Sequence, residues 1–121
     1  MLCGGIGCDR ESAWATLSLG SSEWNFPESR GVVAALNNCH GHKMVSYKGS
    51  AYIYGGNHRE SILNELSKVN MSTNESRSLP PAHYRRKEHA MTILGRFIIV
   101  QGGIEYNSEI RSNLFCYDIE E

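Results

Sequence analysis

Short runs of apolar residues closed by glycine set the pattern of this chain. Three of them end in a glycine pair: Met1-Leu2-Cys3-Gly4-Gly5, Tyr52-Ile53-Tyr54-Gly55-Gly56 and Ile98-Ile99-Val100-Gln101-Gly102-Gly103. Their first glycines, at 4, 55 and 102, lie 51 and 47 residues apart, and a near-constant period of this size predicts a repeat architecture. In the second unit His42-Lys43-Met44-Val45-Ser46-Tyr47 alternates loosely. Lys48-Gly49-Ser50 then turns, and the run from Ala51 to Tyr54 enters the glycines. In the third, His89-Ala90-Met91-Thr92-Ile93-Leu94, the turn Gly95-Arg96 and the run from Phe97 to Val100 repeat that order. Each histidine stands 13 residues before its glycine. Two β-rich runs joined by a glycine-bearing turn predict a hairpin.

The match continues downstream. Residues 63–71, 113–119 and 14–19 occupy equivalent places after the second, third and first pairs and predict a third strand. Residues 23–27 and 75–81 predict a fourth, ended by Pro27, Pro80 and Pro81, because proline cannot donate to a sheet ladder. Four short antiparallel strands per unit is the plan of a propeller blade. A β-sandwich with glycine turns would share the turn signals but not the long period. The glycines are expected to supply positive φ at the tight turn after the second strand and to let neighbouring blades approach closely.

These residues resemble the kelch repeat, whose signature is a strand ending in a double glycine, a later tyrosine–aspartate pair and a tryptophan further on. Arg86 and His89 match the arginine that kelch blades tend to carry three residues before a strand-one histidine. Tyr117-Asp118 matches the pair, and Trp24 matches the tryptophan of the first unit. Asn70 and Ser18 replace the aspartate in the other units, and Ser76 stands in the tryptophan's place in the second. The resemblance implies an all-β fold of kelch-type four-stranded antiparallel blades. Residues 1–41 are read as strands two to four of one blade, 42–88 as a complete blade, and 89–121 as strands one to three of another.

Propellers typically close with 4–8 blades, so this is an incomplete propeller. Three accounts fit: a fragment of a longer protein, a truncated product that folds poorly, or copies that complete one another's blades. The first is preferred. The chain alone is expected to be marginal and prone to self-association through its open blade edges.

Composition narrows the function. Hydrophobic residues at 40% and charged residues at 21% fit a globular chain, and 121 residues suit one ordinary domain. The net charge of −1 gives no basic surplus for nucleic acid or an anionic membrane, and Arg85-Arg86-Lys87 is too short to change that. No run approaches the ~20 apolar residues of a membrane helix, and no signal-peptide core follows Met1, so a cytoplasmic location is expected. The triplets Asn70-Met71-Ser72 and Asn74-Glu75-Ser76 accordingly carry little weight as glycosylation sites. Cys3, Cys8, Cys39 and Cys116 match no common zinc spacing. Buried or incidental thiols are expected, Cys3 and Cys116 lying within strand-like apolar runs.

The resemblance implies a protein-interaction module, such as the substrate-recognition part of a ubiquitin-ligase adaptor or an actin-associated protein, with no cofactor. The loops 27–41, 57–63, 82–87 and 104–112 are expected on one face. Among their residues Arg59, Tyr84, Arg85 and Tyr106 are the candidate contact set, since arginine and tyrosine most often anchor interfaces. The alternative is a fragment of a kelch-fold enzyme of copper-oxidase or sugar-epimerase type, for which His40, His42, His58, His83 and His89 are candidate ligands. His42 and His89 are already explained by the repeat, and no carboxylate pair or nucleophile motif stands out. A degenerate segment without a separate function is the third account.

Overall fold

A computed structural model describes residues 2–3, 14–25, 39–58, 60–80, 84–105 and 114–120. These residues form strands and no helix, so the chain is all-β, as its pattern implies. One antiparallel sheet has four strands, β5 (Lys43–Tyr47), β6 (Ser50–Tyr54), β9 (Leu66–Asn70) and β10 (Ser76–Leu79), in the order β10-β9-β6-β5. A second repeats its first three places with β11 (Ala90–Leu94), β12 (Phe97–Gln101) and β13 (Leu114–Asp118). A third, β1 (Leu2–Cys3), β2 (Trp14–Ser18) and β3 (Glu23–Asn25), supplies three strands of the same kind. In chain order these are the first sheet (β1–β3), the middle sheet (β5, β6, β9, β10) and the last sheet (β11–β13). None closes on itself, which is the geometry of incomplete propeller blades.

The repeat holds at the level of hydrogen-bond register. Lys43 pairs with Tyr54 and Tyr47 with Ser50; displaced by 47 residues, Ala90 pairs with Gln101 and Leu94 with Phe97. The residue before each glycine pair meets the first residue of the next sheet strand: Cys3 with Trp14, Tyr54 with Leu66, Gln101 with Leu114. The hairpins differ only in turn chemistry. Lys48 (φ 46°) and Gly49 (φ 78°) are both left-handed, the type I′ pattern, whereas Gly95 (φ 59°) places glycine first, as in type II′.

Alternation of side chains makes β6 the centre of the core. Ala51 and Ile53 point to one face, where they pack with Val69 and Cys39; Tyr52 and Tyr54 point to the other, against Leu66, Ile98 and Val100. The second cluster joins the middle sheet to the last one, with Met91, Phe115, Tyr117 and Ile119 at its margin. Each such side chain contributes about 1.5–3 kcal/mol on burial, so this seam carries the coupling between the sheets. At the far end of the seam the Tyr47 hydroxyl donates to Glu120 Oε1 at 2.8 Å and Lys48 Nζ at 2.7 Å. Lys48 holds the Glu120 carboxyl below its usual range.

The replacement of aspartate by Asn70 leaves the turn intact. Asn70 Oδ1 accepts from the Ser72 amide, two residues on, as Asp118 Oδ1 accepts from the Glu120 amide. Both need only a side-chain oxygen.

Three expectations are corrected. The third strand of the second unit begins at Leu66, not at residue 63, because the Leu63 backbone is bonded elsewhere: its amide to Gly56 O and its carbonyl to the Arg86 amide. The segment 57–63, read as a loop, contains two short strands, β7 (Asn57–His58) and β8 (Ser61–Ile62), and β7 pairs with β4 (Cys39–His40). Of the two readings of the thiols, buried or incidental, Cys116 takes the second and not the packing role its apolar run suggested: it is exposed, since it alternates with the inward Phe115 and Tyr117. Cys39 is the buried thiol, and desolvation pushes it up to about 11, which keeps it protonated and unreactive.

Candidate partner-binding site between two sheets

The described segment before β11, residues 84–88 (the crossing segment), is bonded through its backbone to the loops that follow β6 and β12 and to Gly41. The Arg86 amide donates to Leu63 O at 3.1 Å, and the Gly56 amide donates to Arg86 O at 2.9 Å. Lys87 and Ile104 exchange both backbone bonds, at 3.0 and 2.9 Å, and the Glu88 amide donates to Gly41 O at 2.7 Å. The Lys87–Ile104 bridge stands where the His40–Asn57 pair stands 47 residues earlier. The described parts of the four loops expected on one face are therefore linked to one another.

The glycine pairs make this approach feasible. Gly55 and Gly56 have φ of 68° and 95°, and Gly102 and Gly103 have 69° and 96°. A Cβ on Gly55 would collide with the Arg86 carbonyl oxygen and lie 2.8 Å from His89 Cε1. On Gly56 it would lie 2.8 Å from His42 Cβ, and on Gly103 2.8 Å from His89 Cβ. So each strand-one histidine packs behind the second glycine of its own unit, which explains their fixed spacing in the sequence.

Arg86 and His89 lie beneath the crossing segment and are fully buried. Arg86 Nη1 donates to Gly102 O at 2.9 Å, and its guanidinium stacks 5.2 Å from the Phe115 ring and 5.7 Å from that of Tyr84. The Tyr54 hydroxyl donates to Tyr84 O, and the Tyr54 ring meets His89 and Phe115 edge-on at 5.0 and 5.5 Å. Burial raises the Tyr54 phenol, with Arg86 opposing. Side chains from both sheets and from the crossing segment thus converge on one arginine. It is the buried member of the basic triplet, the one that the Arg86–His89 spacing singles out in the sequence.

His89 is held neutral. Burial, and after it the charge of Arg86, push it down to about 4 from its ordinary 6.5, with Lys43 and His42 adding to the effect and the Tyr54 backbone opposing it. Neither ring nitrogen finds a hydrogen-bond partner of good geometry among the described residues. Between pH 6.5 and about 4 the unfolded chain takes up a proton that the folded chain refuses, so stability falls as pH falls through that window and is constant above it. The loss is expected to reach about 3 kcal/mol, and His89→Phe should remove it. Urea midpoints at pH 7.5, 5.5 and 4.5 check this, and an unchanged slope in the variant would contradict it. The contribution of Glu120, whose carboxyl is depressed, is lost only at lower pH, as that group itself protonates.

Of the sequence-derived contact set, Tyr84 and Arg85 lie side by side and exposed on the crossing segment, 37% in the case of Tyr84. Arg85 Nη1 reaches Ile62 O at 3.1 Å, so it lies against the β7–β8 ladder. Arg59 and Tyr106 lie outside the described residues, as does His83. Among the described residues no three of histidine, cysteine, aspartate and glutamate converge to hold a metal ion. No helix among them is long and apolar enough to cross a membrane.

Comparison with known proteins agrees with this geometry in part. No family model matches the chain. Kelch-like protein 15 from Mus musculus, from Rattus norvegicus and from Homo sapiens each match it at 28% identity over 87 residues. The match covers 66% of this chain and 14% of each relative, so the chain is distantly and partially similar to kelch-repeat proteins.

Proposed function

We propose that this chain is a non-enzymatic, kelch-type protein-interaction module whose contact surface is centred on Tyr84 and Arg85. The observation that carries the reading is the construction of the crossing segment. Four backbone hydrogen bonds fix residues 86 and 87 against both glycine-pair loops and a fifth ties Glu88 to Gly41, while the two residues before them remain exposed. A rigid platform presenting tyrosine and arginine loses little conformational entropy when a partner docks. Two roles implied by the kelch resemblance need such a surface: substrate recognition for a ubiquitin ligase, and docking in actin-associated assemblies.

The double variant Tyr84→Ala, Arg85→Ala tests this. The Tyr84 carbonyl that accepts from Tyr54 is backbone and is kept, but the Arg85 bond to Ile62 O and the Tyr84 ring against Arg86 are lost, so a stability cost of about 2 kcal/mol is expected and binding is compared at a temperature where both proteins are folded. Quantitative capture of proteins from cell extract, followed by measured affinity for the captured partner, is expected to show at least a tenfold loss. Equal affinity in parent and variant would overturn the assignment of these residues.

A further inference from the structure

One departure from the repeat concerns a buried hydroxyl. Tyr54 stands directly before its glycine pair, paired with Leu66; the same register place holds Cys3, paired with Trp14, in the first unit and Gln101, paired with Leu114, in the third. The repeat therefore forms without a tyrosine at this position. Tyr54 is buried, and placing a phenol hydroxyl where a phenylalanine ring would pack as well costs free energy unless that hydroxyl is bonded. It is bonded outside its own sheet: it donates to Tyr84 O, with Arg86 as a second partner.

The accepting carbonyl belongs to the peptide unit that joins Tyr84 to Arg85, and a peptide unit is planar. Holding its oxygen restrains the whole plane, and with it the directions in which the Tyr84 and Arg85 side chains leave the backbone. The backbone bonds of the crossing segment lie at residues 86–88, and Tyr54 extends that anchoring one peptide further, to the exposed pair. The two side chains are then seated separately, the Tyr84 ring 5.7 Å from the Arg86 guanidinium and Arg85 Nη1 3.1 Å from Ile62 O. The departures occur together in the sequence. The first unit, which has Cys3 in the place of Tyr54, is followed by Asn37-Asn38, 47 residues before Tyr84-Arg85.

We propose that Tyr54 is the positioning residue of the Tyr84–Arg85 surface, a buried hydroxyl that carries the geometry of the seam between the middle and last sheets to the point of partner contact. This role rests on the reading of Tyr84 and Arg85 as contact residues. Tyr54 is buried and touches no partner itself. A surface whose shape is fixed in advance loses less conformational entropy on docking, so removal of the hydroxyl weakens binding by freeing the peptide in front of it.

Tyr54→Phe in the 121-residue chain tests it. Tyr52→Phe, on the same strand and face and also buried, is the control for loss of a hydroxyl. The first readout is the NMR order parameter of the Arg85 amide, which shares the restrained peptide. It should be about 0.85 in the parent and in Tyr52→Phe and fall below about 0.6 in Tyr54→Phe, while Ile53 and Val69 stay near about 0.85 in all three. The second is affinity for a synthetic single-domain binder, selected on the parent and counter-selected against the Tyr84→Ala, Arg85→Ala variant. Tyr54→Phe should weaken it by about tenfold or more, and Tyr52→Phe by less than about twofold. An order parameter that Tyr54→Phe leaves unchanged, or equal losses of affinity in the two variants, would overturn the role of Tyr54. So would a parent in which Arg85 already moves freely, a result that needs no variant to fold. Loss of the binder with unchanged capture of proteins from cell extract would uphold that role and overturn instead the reading of Tyr84 and Arg85 as the natural contact.

Discussion

Alanine at Gly55 is expected to destabilise the chain by about 4 kcal/mol. Two costs combine. A left-handed φ of 68° costs a residue bearing a Cβ about 1–2 kcal/mol. Forcing the new carbon away from the Arg86 carbonyl oxygen and the His89 ring adds about 1–3 kcal/mol, because the first obstacle is backbone that is itself hydrogen-bonded to Gly56. Gly49→Ala separates the terms. Its φ is 78° but nothing lies within 4 Å of the new carbon, so only the conformational cost of about 1–2 kcal/mol should remain. Gly20→Ala, in open space, should change stability by less than about 0.5 kcal/mol. Chemical denaturation of the three variants checks the order, and a Gly55→Ala midpoint equal to that of Gly49→Ala would refute the close-approach argument.

Replacing Arg86 by methionine, which keeps most of the stem but no charge, is expected to cost about 3 kcal/mol. The bond to Gly102 O is lost and that carbonyl is left without its charged donor, a loss of about 1.5–3 kcal/mol; stacking on Phe115 adds about 1 kcal/mol or more. Lysine in its place should recover only part, because a single ammonium cannot both reach Gly102 and lie flat on the ring. By contrast, Lys87→Met, one residue on, should be nearly neutral: the Lys87 bonds to Ile104 are made by its backbone. Thermal melts of the three variants distinguish a guanidinium-specific role from simple loss of positive charge. Equal effects at 86 and 87 would show that the guanidinium has no special place.

The parts of the fold legible in the sequence were those with periodicity behind them. Paired glycines, histidines at a fixed distance and apolar runs of strand length located both hairpins and their register, because each feature answers to a geometric need that recurs in every unit. The β4–β7–β8 ladder was not legible. Cys39-His40, Asn57-His58 and Ser61-Ile62 are two-residue strands of mostly polar character, too short to show alternation. The clamp formed by Tyr47, Lys48 and Glu120 links residues more than 70 apart, and nothing local marks it. Within the candidate site, Tyr84 and Arg85 were found by residue type, whereas the division of labour between exposed Arg85 and buried Arg86 depends on which side of the crossing segment each faces. The Arg86–His89 spacing carried the missing signal, since His89 lies on the same buried side.

The central claim is that the middle and last sheets form one cooperative unit joined through Arg86. Native-state amide hydrogen exchange tests it most directly, comparing Tyr52, Ile53 and Tyr54 in β6 with Ile98, Ile99 and Val100 in β12. In the parent the two sets are expected to open with the same free energy and to respond alike to low denaturant. In Arg86→Met the β12 set should open more readily than the β6 set. Separate opening energies in the parent, or an unchanged common value in the variant, would contradict the claim.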